Sequence, residues 1–248
     1  MSSLQSPISA PLHRSSPEYD GAIDPFAARL TAFAPLSGND RAALAELVSR
    51  AAAVASHTDL VRDGEVADVA FLVLDGIACR YLQKASGARQ ILALLLPGDL
   101  CDSDLIHLER WDHGIATLSS CRVARVPRAM LEDLIITHPT IELALRRARL
   151  EAEARGRGWL AALGVCSATE RLARLFYEIA ERLHAVGHGE RHACTLRLTQ
   201  LDLAECIGVT TVHVSRVLRE LRQSGVIEFK GGQLRLLDRA GLAALAAS

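Results

Sequence analysis

The residues with the clearest chemistry lie between positions 199 and 224. There Thr211, His213, Ser215, Arg216 and Arg219 share the outward side of one short segment. Hydroxyls and guanidinium groups are the side chains that bind phosphate oxygens and base edges. Arginine matches guanine bidentately, which makes Arg216 the first candidate for reading a base. Three arginines stand against one glutamate between 210 and 222, whereas the whole chain balances 28 Lys+Arg against 29 Asp+Glu, a net charge of −1. A protein coated in positive charge is excluded, so a nucleic-acid surface has to come from local patterning of this kind.

Those side chains need a scaffold, and the flanking residues supply one. Thr199 is placed to cap a helix over 200–207, Gly208 permits a left-handed turn, and a second helix starts at Thr210 or Thr211. Leu203, Ala204, Ile207, Val209, Val214 and Val217 supply the contacts of two steeply crossing helices, with Ala204 small where they touch. This is the pattern of a helix-turn-helix. After Gly225, the runs 226–229 and 234–237 flank a Lys230-Gly231-Gly232-Gln233 turn, which makes a winged helix with Lys230 at the wing tip, within reach of a backbone phosphate. Asp238 caps a final helix. Double-stranded DNA is the expected partner. The competing reading is a small-molecule sensor or scaffold whose winged helix mediates protein contacts, because the fold alone does not decide.

The remaining chain is read as the apparatus that positions this unit. At 248 residues and 50% hydrophobic, it can bury a sizeable core, and wholesale disorder is excluded. No apolar run approaches a membrane helix: the longest, 91–96, ends at Pro97. Residues 1–25 are Ser- and Pro-rich and read as a flexible tail without a signal peptide. Ser37 with Asp40 forms a capping box ahead of Leu44, Leu47 and Val48. From 52 to 126, short apolar runs (69–74, 77–82, 91–96, 115–118, 121–126) alternate with Gly, Asp and Pro, the texture of a small all-β barrel or sandwich. A short helix over 130–136 precedes a long one from Pro139. In the long helix Ile141, Leu145, Ala148, Ala152, Arg155, Trp159 and Ala162 recur at steps of four and three, an a/d seam suited to pairing with a second copy. Gly156, Gly158 and the seam residue Arg155 make part of it weak or adjustable. The expected divisions are a tail (1–25), a sensor domain (26–137), a dimerisation helix (138–165) and the winged helix (166–248). The fold class is α+β.

At this point the chain resembles the family of the cyclic-AMP receptor protein and the fumarate–nitrate reduction regulator (Crp/Fnr). The resemblance covers roughly residues 26 to 248. Its most specific parts are Ala168-Thr169-Glu170-Arg171-Leu172-Ala173 and residues 198–237; the sensor half matches through Gly64, residues 72–76 and Pro97-Gly98-Asp99. It implies an N-terminal β-roll of the cyclic-nucleotide-binding, jelly-roll kind and a bacterial homodimer on a near-palindromic site. It also implies that a signal in the β-roll reorients the DNA-binding units through the long helix. RNA polymerase would be a further partner of an activator. Gly98, Asp99, Leu100, Cys101, His113 and Thr117 are the implied pocket. Departures from the family narrow the signal. Asp99 follows Gly98 where cyclic-AMP binders carry Gly-Glu, and the run Trp111-Asp112-His113-Gly114-Ile115-Ala116-Thr117 offers no arginine for a cyclic phosphate, so cyclic AMP is not the expected ligand. No cysteine precedes Cys79, so an N-terminal iron–sulfur cluster is not expected either. Val212 stands where both branches commonly carry Glu, and valine cannot accept from cytosine N4, so the half-site should differ from the familiar ones.

Other signals are weaker. His184, His188 and His192 recur every four residues near Cys194, but Gly187 and Gly189 interrupt any helix, and a solvated loop is the expectation rather than a metal site. The six cysteines contain no C-x-x-C and read as free thiols of a cytoplasmic protein. Cys101, with Cys79 and Cys121 on neighbouring strands, is weighed as a redox or haem residue and read as core, as is Cys206. His57, His107 and His113 cannot be grouped by sequence. Neither a P-loop nor a G-x-S-x-G elbow occurs, so no catalysis is expected, and no cofactor is named.

Overall fold

A computed structural model of the chain describes residues 24 to 247. All but the last two residues of the expected tail lie outside that range. Two short helices lead in, α1 (Pro25–Thr31) and α2 (Gly38–Ser49). The second opens on the expected capping box: Asp40 N donates to Ser37 Oγ at 3.1 Å and Ser37 N to Asp40 Oδ2 at 2.9 Å.

Eight strands follow: β1 (Ala51–Val54), β2 (Asp59–Val61), β3 (Val69–Asp75), β4 (Ala78–Gln83), β5 (Arg89–Leu95), β6 (Leu100–Cys101), β7 (Gly114–Thr117) and β8 (Cys121–Pro127). They form two four-stranded antiparallel sheets, ordered β1-β8-β3-β6 and β2-β7-β4-β5, the β-roll expected from the apolar runs. Phe71, Leu72, Trp111, Ile115 and Val126 are all buried in the β-roll core. Sequence reading missed β1, whose Ala-Ala-Ala-Val run carries no strand signature, and the short β2 and β6.

Helix α3 (Arg128–Thr137) leads into α4 (Pro139–Val165). The winged helix follows: α5 (Ala168–Ala185), β9 (Ala193–Thr195), α6 (Gln200–Ile207), α7 (Thr211–Gln223), β10 (Ile227–Lys230), β11 (Gln233–Leu236) and α8 (Arg239–Ala247). In place of a wholly polar loop after α5, β9 adds a third strand to the wing, pairing with β11. Asp238 caps α8 as expected, accepting from Gly241 N at 2.9 Å.

The long helix places part of its expected seam inside the chain. Ile141, Leu145 and Ala148 pack into the β-roll core of the same chain, and Trp159 packs against a second core shared by the β-roll and the winged helix. Ala162 is buried as well. For these residues the apolar periodicity matches burial within one chain, which spacing alone cannot tell from self-pairing. The side of α4 left uncovered carries Leu143 and Leu150 (51% exposed), while Leu160 (75% exposed) borders the cavity.

Candidate nucleic-acid interface and sensor cavity

The helix-turn-helix is built as its sequence dictates. Thr199 caps α6, its hydroxyl accepting from Asp202 N at 3.1 Å while Asp202 Oδ2 accepts from Thr199 N at 2.7 Å. Gly208 takes φ +68, a left-handed conformation that L side chains rarely adopt, and turns the chain into α7. Thr210 caps α7, accepting from His213 N at 3.3 Å. Leu203, Ala204, Ile207, Val214 and Val217 are buried between the helices. That leaves Thr211, Val212, Arg216 and Arg219 exposed and His213 and Ser215 half-buried on the outer side of α7. Arg216 is loosely held: its guanidinium donates to His213 Nε2 at 2.8 Å and stands 3.8 Å from Glu220. Ser215 Oγ donates to Gln200 Oε1 at 2.6 Å. At the wing, Lys230 pairs with Gln233 across Gly231 (φ +59) and Gly232 (φ +75), and the Lys230 side chain is exposed. Two central residues of positive φ define the tight hairpin turn that a Gly-Gly pair favours.

The inner side of α6 is docked on the β-roll. Gln90 Nε2 donates to Glu205 O at 2.6 Å, and His57 Nε2 lies 3.3 Å from Asp202 Oδ1. Burial pushes the Glu205 carboxyl up, and Arg89, 3.8 Å away, opposes this.

Beside this junction lies a cavity of about 570 Å³ walled by β5, the β5–β6 turn, α4 and α5. Of the expected pocket residues, Gly98, Asp99, Leu100 and His113 line it. Two do not. Thr117 is fully buried with its hydroxyl donating to Ala55 O at 2.7 Å and accepting from Thr58 N at 2.9 Å, a bracket for the chain entering β2. Cys101 lies behind the wall, its Sγ 3.2 Å from Arg80 Nε.

The cavity is also richer in arginine than the run 111–117 indicated. Arg29, Arg80, Arg155 and Arg182 all line it, contributed by α1, β4, α4 and α5. Each faces a carboxylate. Asp99 binds Arg29 Nε at 3.0 Å and the Arg182 guanidinium, and accepts from Leu96 N at 2.8 Å. Burial acts to raise the Asp99 carboxyl, but Arg182 and Arg29 outweigh it and hold its pKa below the usual range. Arg182 continues to Glu178 at 3.1 Å, and Glu178 accepts from Trp159 Nε1 at 2.9 Å. One buried polar network therefore joins α1, the β-roll, α4 and α5. Gly98 is required here: its φ is +89, and a Cβ would run into the carbonyl of Pro25.

The arginines were missed because no local motif marks them. The one available signal was Arg182 on the same stripe of α5 as Leu172, Phe176, Ile179 and Leu183, all of them buried. Among the described residues, no helix is long and apolar enough to cross a membrane.

Comparison with known proteins agrees with both halves. Residues 53–138 match the model of the cyclic nucleotide-binding domain, and residues 170–245 that of the Crp-like helix-turn-helix domain. The nitrogen fixation regulation protein FixK of Bradyrhizobium diazoefficiens is 31% identical over 179 residues, covering 71% of this chain and 73% of that protein. FixK of Azorhizobium caulinodans is 29% identical, covering 77% of each. The solved structure of FixK2 from Bradyrhizobium japonicum shares the fold with a TM-score of 0.69 at 24% identity, over 80% of this chain and 98% of that one. With its β-roll, long helix and winged helix in that order, the chain belongs to the Crp/Fnr family of transcription regulators.

Proposed function

We propose that the protein acts as a homodimer on a near-palindromic duplex, with α7 in the major groove. The observation that carries this is the division of α7: one side sealed against α6, the other presenting Thr211, Val212, His213, Ser215, Arg216 and Arg219 outward. In this reading Arg216 contacts a base edge, released from His213 and Glu220 when DNA arrives. Thr199, Thr210, Arg219 and Lys230 contact phosphates and fix the register. The second copy pairs along the uncovered side of α4, where Leu143, Leu150, Ala154 and Ala161 recur at heptad-compatible spacing. A signal entering the cavity acts on the Asp99–Arg182 pair, which ties the β-roll to α5, and so biases the placement of the winged helix. Cyclic AMP does not supply it, because the cavity arginines are already matched by carboxylates. An activator's contact with RNA polymerase would be a further step.

The test is enrichment of random duplexes by the purified protein at near-physiological salt. A two-fold motif with half-site centres about one helical turn apart is the expected result. Enrichment of nothing, with or without cavity ligands, would return the winged helix to a protein-binding role.

A further inference from the structure

The β-roll brings together three side chains, of which sequence reading assigns Cys101 and His113 to one pocket without Asp102. Cys101 ends β6, Asp102 follows it, and His113 stands just before β7; Cys101 Sγ, an Asp102 oxygen and a His113 ring nitrogen lie within 4.8 Å of one another. His113 is buried and its Nδ1 lies 2.7 Å from Asp112 Oδ1. A carboxylate only accepts, so Nδ1 carries a hydrogen, while Nε2 carries a second one when the ring is charged and a lone pair when it is neutral. Nε2 is buried and stands 3.2 Å from Asp102 Oδ2, an ion pair when the ring is charged. With the ring neutral, Nε2 and Oδ2 are two acceptors facing each other, which a bound metal ion would satisfy in place of the ring proton. Metal-ligating histidines are held in this way, with the far ring nitrogen donating to a carboxylate.

We propose that Cys101, Asp102 and His113 bind one divalent first-row transition metal that tolerates thiolate, of the zinc or cobalt class. The donor set is thiolate, imidazole and carboxylate, mixed in softness as such ions prefer and poorly matched to calcium or magnesium. Asp102 and His113 both line the cavity, which supplies the route of entry and room for a fourth, solvent ligand. The charges balance: thiolate and carboxylate together offset the ion. The cation that occupies the place otherwise is Arg80, with Nε 3.2 Å from Cys101 Sγ and a terminal nitrogen 3.1 Å from Asp102 Oδ1. Arg80 also lines the cavity, as do the carboxylates of Asp104 and Asp112, so it has somewhere to swing. On binding, the Cys101 S–H bond breaks, the sulfur pair forms the metal–sulfur bond, and the proton leaves to solvent.

This inference does not rest on DNA binding, and its test is read without DNA. The full-length chain, freed of metal by chelation, is titrated with cobalt(II) and followed by thiolate-to-cobalt charge transfer and visible ligand-field absorption, then back-titrated with zinc(II). One equivalent per chain with a thiolate band is expected. Cys101→Ser removes the band, His113→Gln weakens binding at least about tenfold, and Arg80→Met tightens it by removing the competing cation. Cys166→Ser leaves the spectrum unchanged. Should Cys101→Ser fail to fold by circular dichroism, the His113→Gln and Arg80→Met chains decide. No stoichiometric thiolate band, or a band that survives Cys101→Ser, overturns the site and leaves Arg80–Asp102–His113 as an ion-pair network only.

Discussion

The arginines of α7 and those of the cavity are the same residue put to opposite uses. Arg216 is 65% exposed and held by a histidine and a distant glutamate, whereas Arg182 is 12% exposed and faces Asp99 and Glu178. An exposed guanidinium with weak partners keeps its capacity for a phosphate or a base, because leaving its present contacts costs little. A buried one is committed, since removing its partner strands a charge out of water. The outer region is built to bind another molecule and the inner one to hold domains in register.

Breaking the inner network should give the largest effect. Asp99→Asn leaves Arg29 and Arg182 buried without their carboxylate, and chemical denaturation should show a loss of about 3–5 kcal/mol. The same variant also tests the pH dependence. Asp99 is held below its ordinary value of 3.8, so the stability it contributes is present above that pH and is lost as pH falls through the lowered value. The acid limb of the stability curve should therefore flatten in Asp99→Asn relative to the parent chain. An unchanged limb removes Asp99 from the account.

The two sides of α4 offer the next test. Leu145→Glu buries a charge in the β-roll core and should unfold that domain, whereas Leu150→Glu should leave folding intact and give monomers by light scattering. If Leu145→Glu yields folded monomers and Leu150→Glu stays dimeric, the pairing face has been placed on the wrong side. Smaller again is Arg216→Ala: stability within about 0.5 kcal/mol of the parent, but about 1–3 kcal/mol lost on the preferred duplex with relaxed base preference. Smallest is Lys230→Ala, which should weaken all duplexes alike and lower the salt slope by about one.

The winged helix was legible because each of its steps is a local decision. Thr199, Gly208 and the Gly231-Gly232 pair each settle one cap or turn within a few residues, and the fold follows from their order. The β-roll strands that carry β-branched or mixed apolar runs were legible for the same reason. What sequence could not show is pairing over long separations. Arg182 meets Asp99, and Arg80 meets Cys101, across distances in the chain that no spacing rule spans. Thr117 looked like a pocket hydroxyl until the fold turned it toward Ala55. The seam of α4 shows the same limit from the other side, since apolar periodicity reports that a face is covered without reporting by what.

The central claim, that α7 and the wing form a DNA-binding face, is tested most directly by one salt titration. The affinity of the full-length protein for its enriched duplex and for a scrambled duplex is measured across a range of salt concentrations. Affinity should fall linearly on logarithmic axes, with a slope of about −0.9 for each phosphate neutralised, and the parent chain should show a preference for the enriched duplex that Arg216→Ala abolishes. A salt-insensitive affinity, or equal binding of both duplexes by the parent chain, would contradict it.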